Sequence, residues 1–191
     1  MEGGIGGEIE IIVYDKDKNI LQHIKKPMDS FTQNMKRWMC DVLNSEGYTS
    51  WNVVDTGGSN RNISVSSSSF TASMNAPTGD DSYGILVGSS DIAFDVAQYN
   101  LGSKIPNGNG TGQIGYQGVT VYQDMPNQKT WQRAFVNTSG GDITVREIGF
   151  AVKAGITTLY FILLARDVLS TPVTVPNYGT LVIRYTFKIN P

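Results

Sequence analysis

Aspartate, serine, histidine and glycine-rich loops are the places where this chain could do chemistry. "DTGG", residues 55–58, contains the Asp-Thr-Gly in which two carboxylates sharing a proton would activate water, so a chain with one copy would have to dimerise. Its continuation, "SNRNIS", is polar turn sequence, and Gly57-Gly58 is ordinary turn chemistry. "GNGTGQ", residues 108–113, has the composition of a phosphate cradle, but such a loop must open a helix and here it leads into the strand-like "IGYQGVTVY". Asp80, Asp81, Asp91 and Asp95 form the one acidic group worth testing for a hard cation such as Ca²⁺, as weak candidates without EF-hand spacing; Asp95 also reads as a cap. His23 is the single histidine, on a strand between Gln22 and Ile24, and no G-x-S-x-G accompanies it. Asn62, Asn109 and Asn137 open N-x-[ST] triplets, which matter only in a secretory pathway. No catalytic constellation and no cofactor site is expected, and the chain reads as a non-enzyme.

Composition narrows the partners. The 191 residues are 40% hydrophobic but only 17% charged, with 21 glycines. That is below the ~25% charge of ordinary domains and suits a polar, weakly charged surface that meets other protein surfaces. A net charge of −2 offers no general nucleic-acid footprint; His23, Lys25, Lys26, Lys36 and Arg37 make too small a basic cluster. Cys40, the single cysteine, excludes an internal disulfide and is expected to be a buried thiol beside Trp38, Met39, Val42 and Leu43. "MEGGIGGEIE" lacks the basic and apolar regions of a signal peptide. "TTLYFILLA" is far shorter than the ~20 apolar residues of a membrane span, so no membrane partner is expected.

The elements follow from periodicity. Residues 1–7 read as a Gly-rich flexible arm, and residues 8–191 as one domain. "EIEIIVYD" and "ILQHI" make a hairpin around "KDKN". A helix at about 30–45 is predicted by the Ser30/Gln33 capping box, by an apolar stripe of Phe31, Met35, Trp38, Met39, Val42 and Leu43, and by Gly47 as its stop. From Trp51 the period changes to two. "WNVVDT" and "RNISVSS" pair around "GGSN", "YGILVGSS" reads as a strand buried on both faces, and "DIAFDVAQYNLGSKI" holds a short helical turn. "QIGYQGVTVYQD" and "TWQRAFVNTS" form a second hairpin, and "GGDITVREIGFAVKAG", "TTLYFILLARDV", "TPVTVP" and "TLVIRYTFKI" complete the strands. Turn signals every 8 to 15 residues with a single helix indicate an all-β, antiparallel β-sandwich, jelly-roll-like or immunoglobulin-like, with one amphipathic α-helix near the N-terminus.

"DDSYGILVGSSDIAFDVAQYNLGSKI", "VNTSGGDITVREIGFAV" and "FILLARDVLSTPVTVPNYGTLVIRYTF", spanning roughly residues 80–189, resemble β-rich virion structural proteins of tailed bacteriophages. The resemblance implies a virion component, homo-oligomeric (a trimer is one form open to it), associating with other virion proteins and carrying no catalytic residues. Its station, whether capsid decoration, tail, fibre or head-tail joint, stays open. "GTLVIRYTFKI" reads as an exposed strand edge with Lys188 and Pro191 as mild guards, to be protected by a neighbour or by an arm such as "EIEIIVY". Ile9, Ile11, Val13, Tyr14, Tyr178, Arg184 and Tyr185 are the expected interface residues, with Tyr116 and Tyr122 as further aromatic anchors. Loops at 66–82 and 103–113 would face outward or a neighbour. Two alternatives stand beside this one: a fibre-type module binding a receptor or glycan, and an extracellular filament subunit joined by exchange of residues 1–14.

Overall fold

Alternating apolar residues in "EIEIIVY" make β1 (Gly4–Tyr14), which returns as β2 (Ile20–Pro27). The computed structural model describes residues 4–28, 30–43, 50–64 and 69–190. Asp15 closes the β1–β2 turn by accepting the amides of Asp17 and Asn19, and Lys18 adopts the left-handed φ of 66° there. The helix α1 (Gln33–Leu43) follows, then the hairpin of β3 (Ser50–Val54) and β4 (Asn60–Ser64) and the short β5 (Thr71–Ser73). Next come β6 (Gly84–Gly88), β7 (Gly115–Tyr116), β8 (Thr120–Met125), β9 (Gln128–Val136), β10 (Ile143–Gly155), β11 (Leu159–Val175) and β12 (Thr180–Asn190).

Two large antiparallel sheets result, with the β3–β4 hairpin as a separate two-stranded sheet. The first has the order β2-β1-β12-β9-β7, with β8 also on β9; the second has the order β11-β10-β5, with β6 also on β10. They meet face to face through aromatic side chains. Phe150 of β10 stacks on Tyr185 of β12 at 4.8 Å and lies 5.4 Å from both Trp131 and Phe187 of the first sheet. The inner face of the first sheet carries Ile9, Ile11, Val13, Ile183 and Phe135, all fully buried. Each such side chain contributes roughly 1.5–3 kcal/mol on burial. β6 is buried at every residue, as its unbroken apolar run required. The expected sandwich with one helix is the fold.

Several local expectations change. β12 is no edge: it lies between β1 and β9, with Ile183 facing Ile11 on one side and Arg133 on the other. Backbone pairing of β1 begins at Gly4, so Gly4–Gly7 belong to the sheet, opposite Phe187–Asn190. Gly7 suits that position because a Cβ there would run into the Met28 side chain and stand 2.8 Å from the Thr186 carbonyl. "LLARDV" and "TPVTVP" are one strand, β11, which changes register against β10 between Val145 and Glu147. That irregularity absorbs Pro172, which has no amide to donate.

The helix starts two residues later than its capping box suggests. Residues 30–32 instead run along β11, with Thr32 N–H donating to the Leu164 carbonyl, Arg166 N–H donating to that of Ser30, and Phe31 bridged to Ala165. Met35 is buried and Trp38 and Met39 are half-buried, as the stripe requires. The Val42 and Leu43 side chains, Gly47 and Pro191 lie outside the described residues. Cys40 is exposed: it falls on the helix face opposite Met35. Residues 91–99 form an irregular loop with a turn at Asp95, whose carboxylate accepts the Ala97 amide.

Candidate functional site

Most of the residues with chemical potential are occupied by the fold. Asp55 accepts the amides of Gly57 (3.0 Å) and Ser59 (2.9 Å) and the Arg61 Nε–H (2.6 Å). Its partial burial would raise its pKa, but these donors hold it below the usual carboxylate range. It is a turn cap. Gln113 folds back to accept the Gly110 amide and so closes the 108–113 loop, which enters β7 and opens no helix. Asp80 accepts the Ser82 amide, Asp81 binds Lys104 and the Asn107 amide, Asp91 lies 3.8 Å from Arg146, and Asp95 caps its own turn. Among the described residues no three His, Cys, Asp or Glu side chains converge as a metal site.

His23 belongs to a surface network on the outer face of the first sheet. Glu10 faces His23 Nε2 at 2.8 Å, Lys25 Nζ at 3.3 Å and Arg184 Nη1 at 2.7 Å. Arg184 also donates to Gln132 and lies 4.0 Å over the Tyr122 ring. Burial works to raise the Glu10 pKa, but the bonds from Arg184, His23 and Lys25 win and bring it down to about 2.

The expected interface residues divide. Ile9, Ile11, Val13 and Tyr185 are fully buried inside the chain and present nothing to a partner. Their strands are neighbours within one sheet, which turns this set toward the core. Tyr116 is buried as well, whereas Tyr14, Arg184 and Tyr122 reach the surface and Tyr178 stands 65% exposed at a turn. The outer strands of the first sheet are blunted: β2 carries Lys25, Lys26 and Pro27, and β8 has a bulge between Val121 and Gln123. The β11 edge is covered by residues 30–32 and by Thr56, whose amide donates to Phe161.

Three buried polar centres went unread in the sequence because Arg, Glu and Asp suggest surface by type. Arg133 donates to the carbonyls of Gln117, Tyr83, Ile85, Pro77 and Asp80 and lies 4.7 Å from the Tyr116 ring centre, clamping the 77–85 loop to β9. Burial lowers its pKa to about 10, against the raising effect of Tyr116, Asp80 and Asp81, and it stays charged at neutral pH. Asp167 joins the sheets, accepting from Tyr185 Oη at 2.6 Å and Lys26 Nζ at 3.1 Å. Glu147 and Arg166, both 0% exposed, pair at 2.6 Å. Glu147 further accepts the amides of Ser90, Gly102 and Ser103, and Arg166 Nη1 donates to Gln98.

This last pair fixes both ends of a surface loop. Between Ser90 and Gly102 the chain presents Ile92 (63% exposed), Val96 (39%) and Tyr99 (38%) to solvent. The Gln33 amide donates to the Val96 carbonyl at 2.7 Å, and the Ile92 amide to Ser90 Oγ. The loop is held in shape from beneath while its apolar side chains face outward.

An apolar recess of about 380 Å³ opens between the sheets and α1. Met35, Trp38, Trp51, Met74, Trp131 and Phe187 dominate its walls, and Ala72, Val152 and Leu164 complete them. Its lining holds no charged, hydroxyl or amide side chain. Compared with known proteins, the chain matches no family model, no curated protein and no solved structure.

Proposed function

We propose that this protein is a structural subunit of a tailed-phage virion, associating with copies of itself and with other virion proteins and performing no catalysis. The observation that carries the reading is the loop at 91–99. A buried ion pair is costly to assemble, and here it is used to hold apolar side chains in water. Covering Ile92 and Val96 in a contact would stabilise it by roughly 1.5–3 kcal/mol per side chain, before the costs of association. The low charge of the chain supports the same reading.

The contact proposed here differs from strand addition. β1 is paired on both sides by its own chain, and the outer strands carry lysines, a proline and a bulge. Exchange of residues 1–14 would have to break an existing ladder.

Light scattering on the purified protein, with negative-stain images of the same fractions, tests the reading. The expected result is a defined oligomer, ring, tube or sheet. A monomer that persists to high concentration would count against self-association. A discrete trimer that binds immobilised glycans would move the assignment to a fibre-type module.

A further inference from the structure

We infer that the apolar loop 91–99 of one copy seats Ile92 and Val96 in the tryptophan-lined recess of a neighbouring copy. This rests on the self-association proposed above and names its contact. A recess of about 380 Å³ is in the range of binding cavities, roughly 300–1,000 Å³, and well above the ~150 Å³ of an engineered apolar void that stays dry. Its walls supply no charged, hydroxyl or amide side chain, and the tryptophan N–H groups are their only strong side-chain donors, so a strongly polar occupant would leave most of its hydrogen bonds unmet. The occupant is therefore apolar.

The chain carries a matching projection. Ile92 is the most exposed large aliphatic side chain among the described residues, and the loop is fixed before contact, which lowers the ordering cost. The flanking charges also match. The loop bears the exposed Asp91 and Asp95, whereas the helix lining the recess bears exposed Lys36 and Arg37; Lys129, 5.9 Å from the Trp131 ring centre, is balanced by Asp124 at 3.0 Å. Other exposed apolar sites fit less well: Ile20 and Leu21 adjoin a turn in which Asp15 and Asp17 balance Lys16 and Lys18, so it brings no net opposite charge to the cations of the helix. Loop and recess are different surfaces, so the contact is heterologous. It grows into a ring or a filament according to the rotation between copies.

Two variants that each destroy one surface test this pairing. Ile92→Asp with Val96→Asp disables the loop; both side chains are exposed, so the fold is kept. Ala72→Trp fills the recess from an exposed position on its wall. Each variant alone should associate at least about tenfold more weakly than the unmodified protein, and their equimolar mixture should give a one-to-one dimer that grows no further. Wild-type assemblies that both variants leave unchanged would overturn this inference alone, as would a mixture that stays monomeric. A wild type that never assembles would overturn the structural-subunit reading too. Should Ala72→Trp melt far below the parent, cross-linking decides: in a Cys40→Ser background with Ile92→Cys and Ala72→Cys, a short bismaleimide should join position 92 of one copy to position 72, on the recess wall, of another. Links found only between two copies of position 92 would exclude the recess as partner.

Discussion

Replacing Glu147 by Gln should be among the most damaging conservative changes in this protein. The carboxylate and the Arg166 guanidinium are both at 0% exposure and 2.6 Å apart, so the change leaves a cation in a dry site without its counter-charge. Removing one partner of such a pair costs about 3–5 kcal/mol. The new amide also meets donors on several sides, since Gly102, Ser103 and Arg166 all direct N–H groups at that position. Against a domain stability of ~5–15 kcal/mol this is a large fraction. With a urea dependence of ~2 kcal/mol per molar, the midpoint should fall by about 2 M, followed through Trp38, Trp51 and Trp131 fluorescence. Arg166→Met should cost less, about 2–3 kcal/mol, because Glu147 keeps its backbone amides. The double variant should be more stable than the sum of the two losses, with a coupling of about 1–3 kcal/mol. Amide exchange at Gly102 and Ser103 should accelerate in Glu147→Gln before global unfolding does. A loss below ~1 kcal/mol, or strict additivity, would refute the view that this pair is a buried clamp.

Arg133→Lys should destabilise the protein by about 2–4 kcal/mol in the same urea titration, because an ammonium cannot reach five carbonyls arranged around a planar fork; near-parental stability would show that the fork is dispensable. Glu10 has a folded pKa of about 2 against 4.5 in the unfolded chain. Its contribution is therefore present above pH ~4.5 and is lost as the pH falls toward 2. Glu10→Gln should flatten that part of the acid profile, and superimposable profiles would remove Glu10 from the account. Cys40 should react with a thiol reagent in the native protein as fast as a free thiol does, and a need for denaturant would contradict its exposure.

Much of the layering was legible. Period-two alternation identifies the β1–β2, β3–β4 and β8–β9 hairpins, and the Met35/Trp38/Met39 stripe identifies the helix. Alternation shows which face of a strand is buried but not which strand lies beside it. That is why β12 looked like an edge and Ile9, Ile11, Val13 and Tyr185 looked available. The Ser30/Gln33 box does not open the helix because the β11 edge claims residues 30–32, a pairing with a distant strand that no local pattern shows. Cys40 was placed by its neighbours in sequence, when its angle around the helix decides its exposure. Of the proposed contact surface, Ile92 and Val96 are visible in the sequence only as apolar letters. What fixes them outward is a pair, Glu147 and Arg166, on two other strands, and no local pattern announces it.

The placement of β12 has a consequence for timing. The middle strand of the first sheet is translated after every strand that flanks it, so β1 and β9 emerge from the ribosome with no partner between them. The β1–β2 hairpin must wait, its inner face of Ile9, Ile11 and Val13 uncovered, until nearly all the other strands have been made. Ladders this distant in sequence close slowly and leave aggregation-prone intermediates. The same order has a protective side. A nascent chain lacks a finished sandwich, and the recess wall that includes Phe187 appears only with β12. On the structural-subunit reading proposed above, synthesis would thereby separate the birth of a subunit from its recruitment, and incomplete chains would be excluded from what the finished ones build.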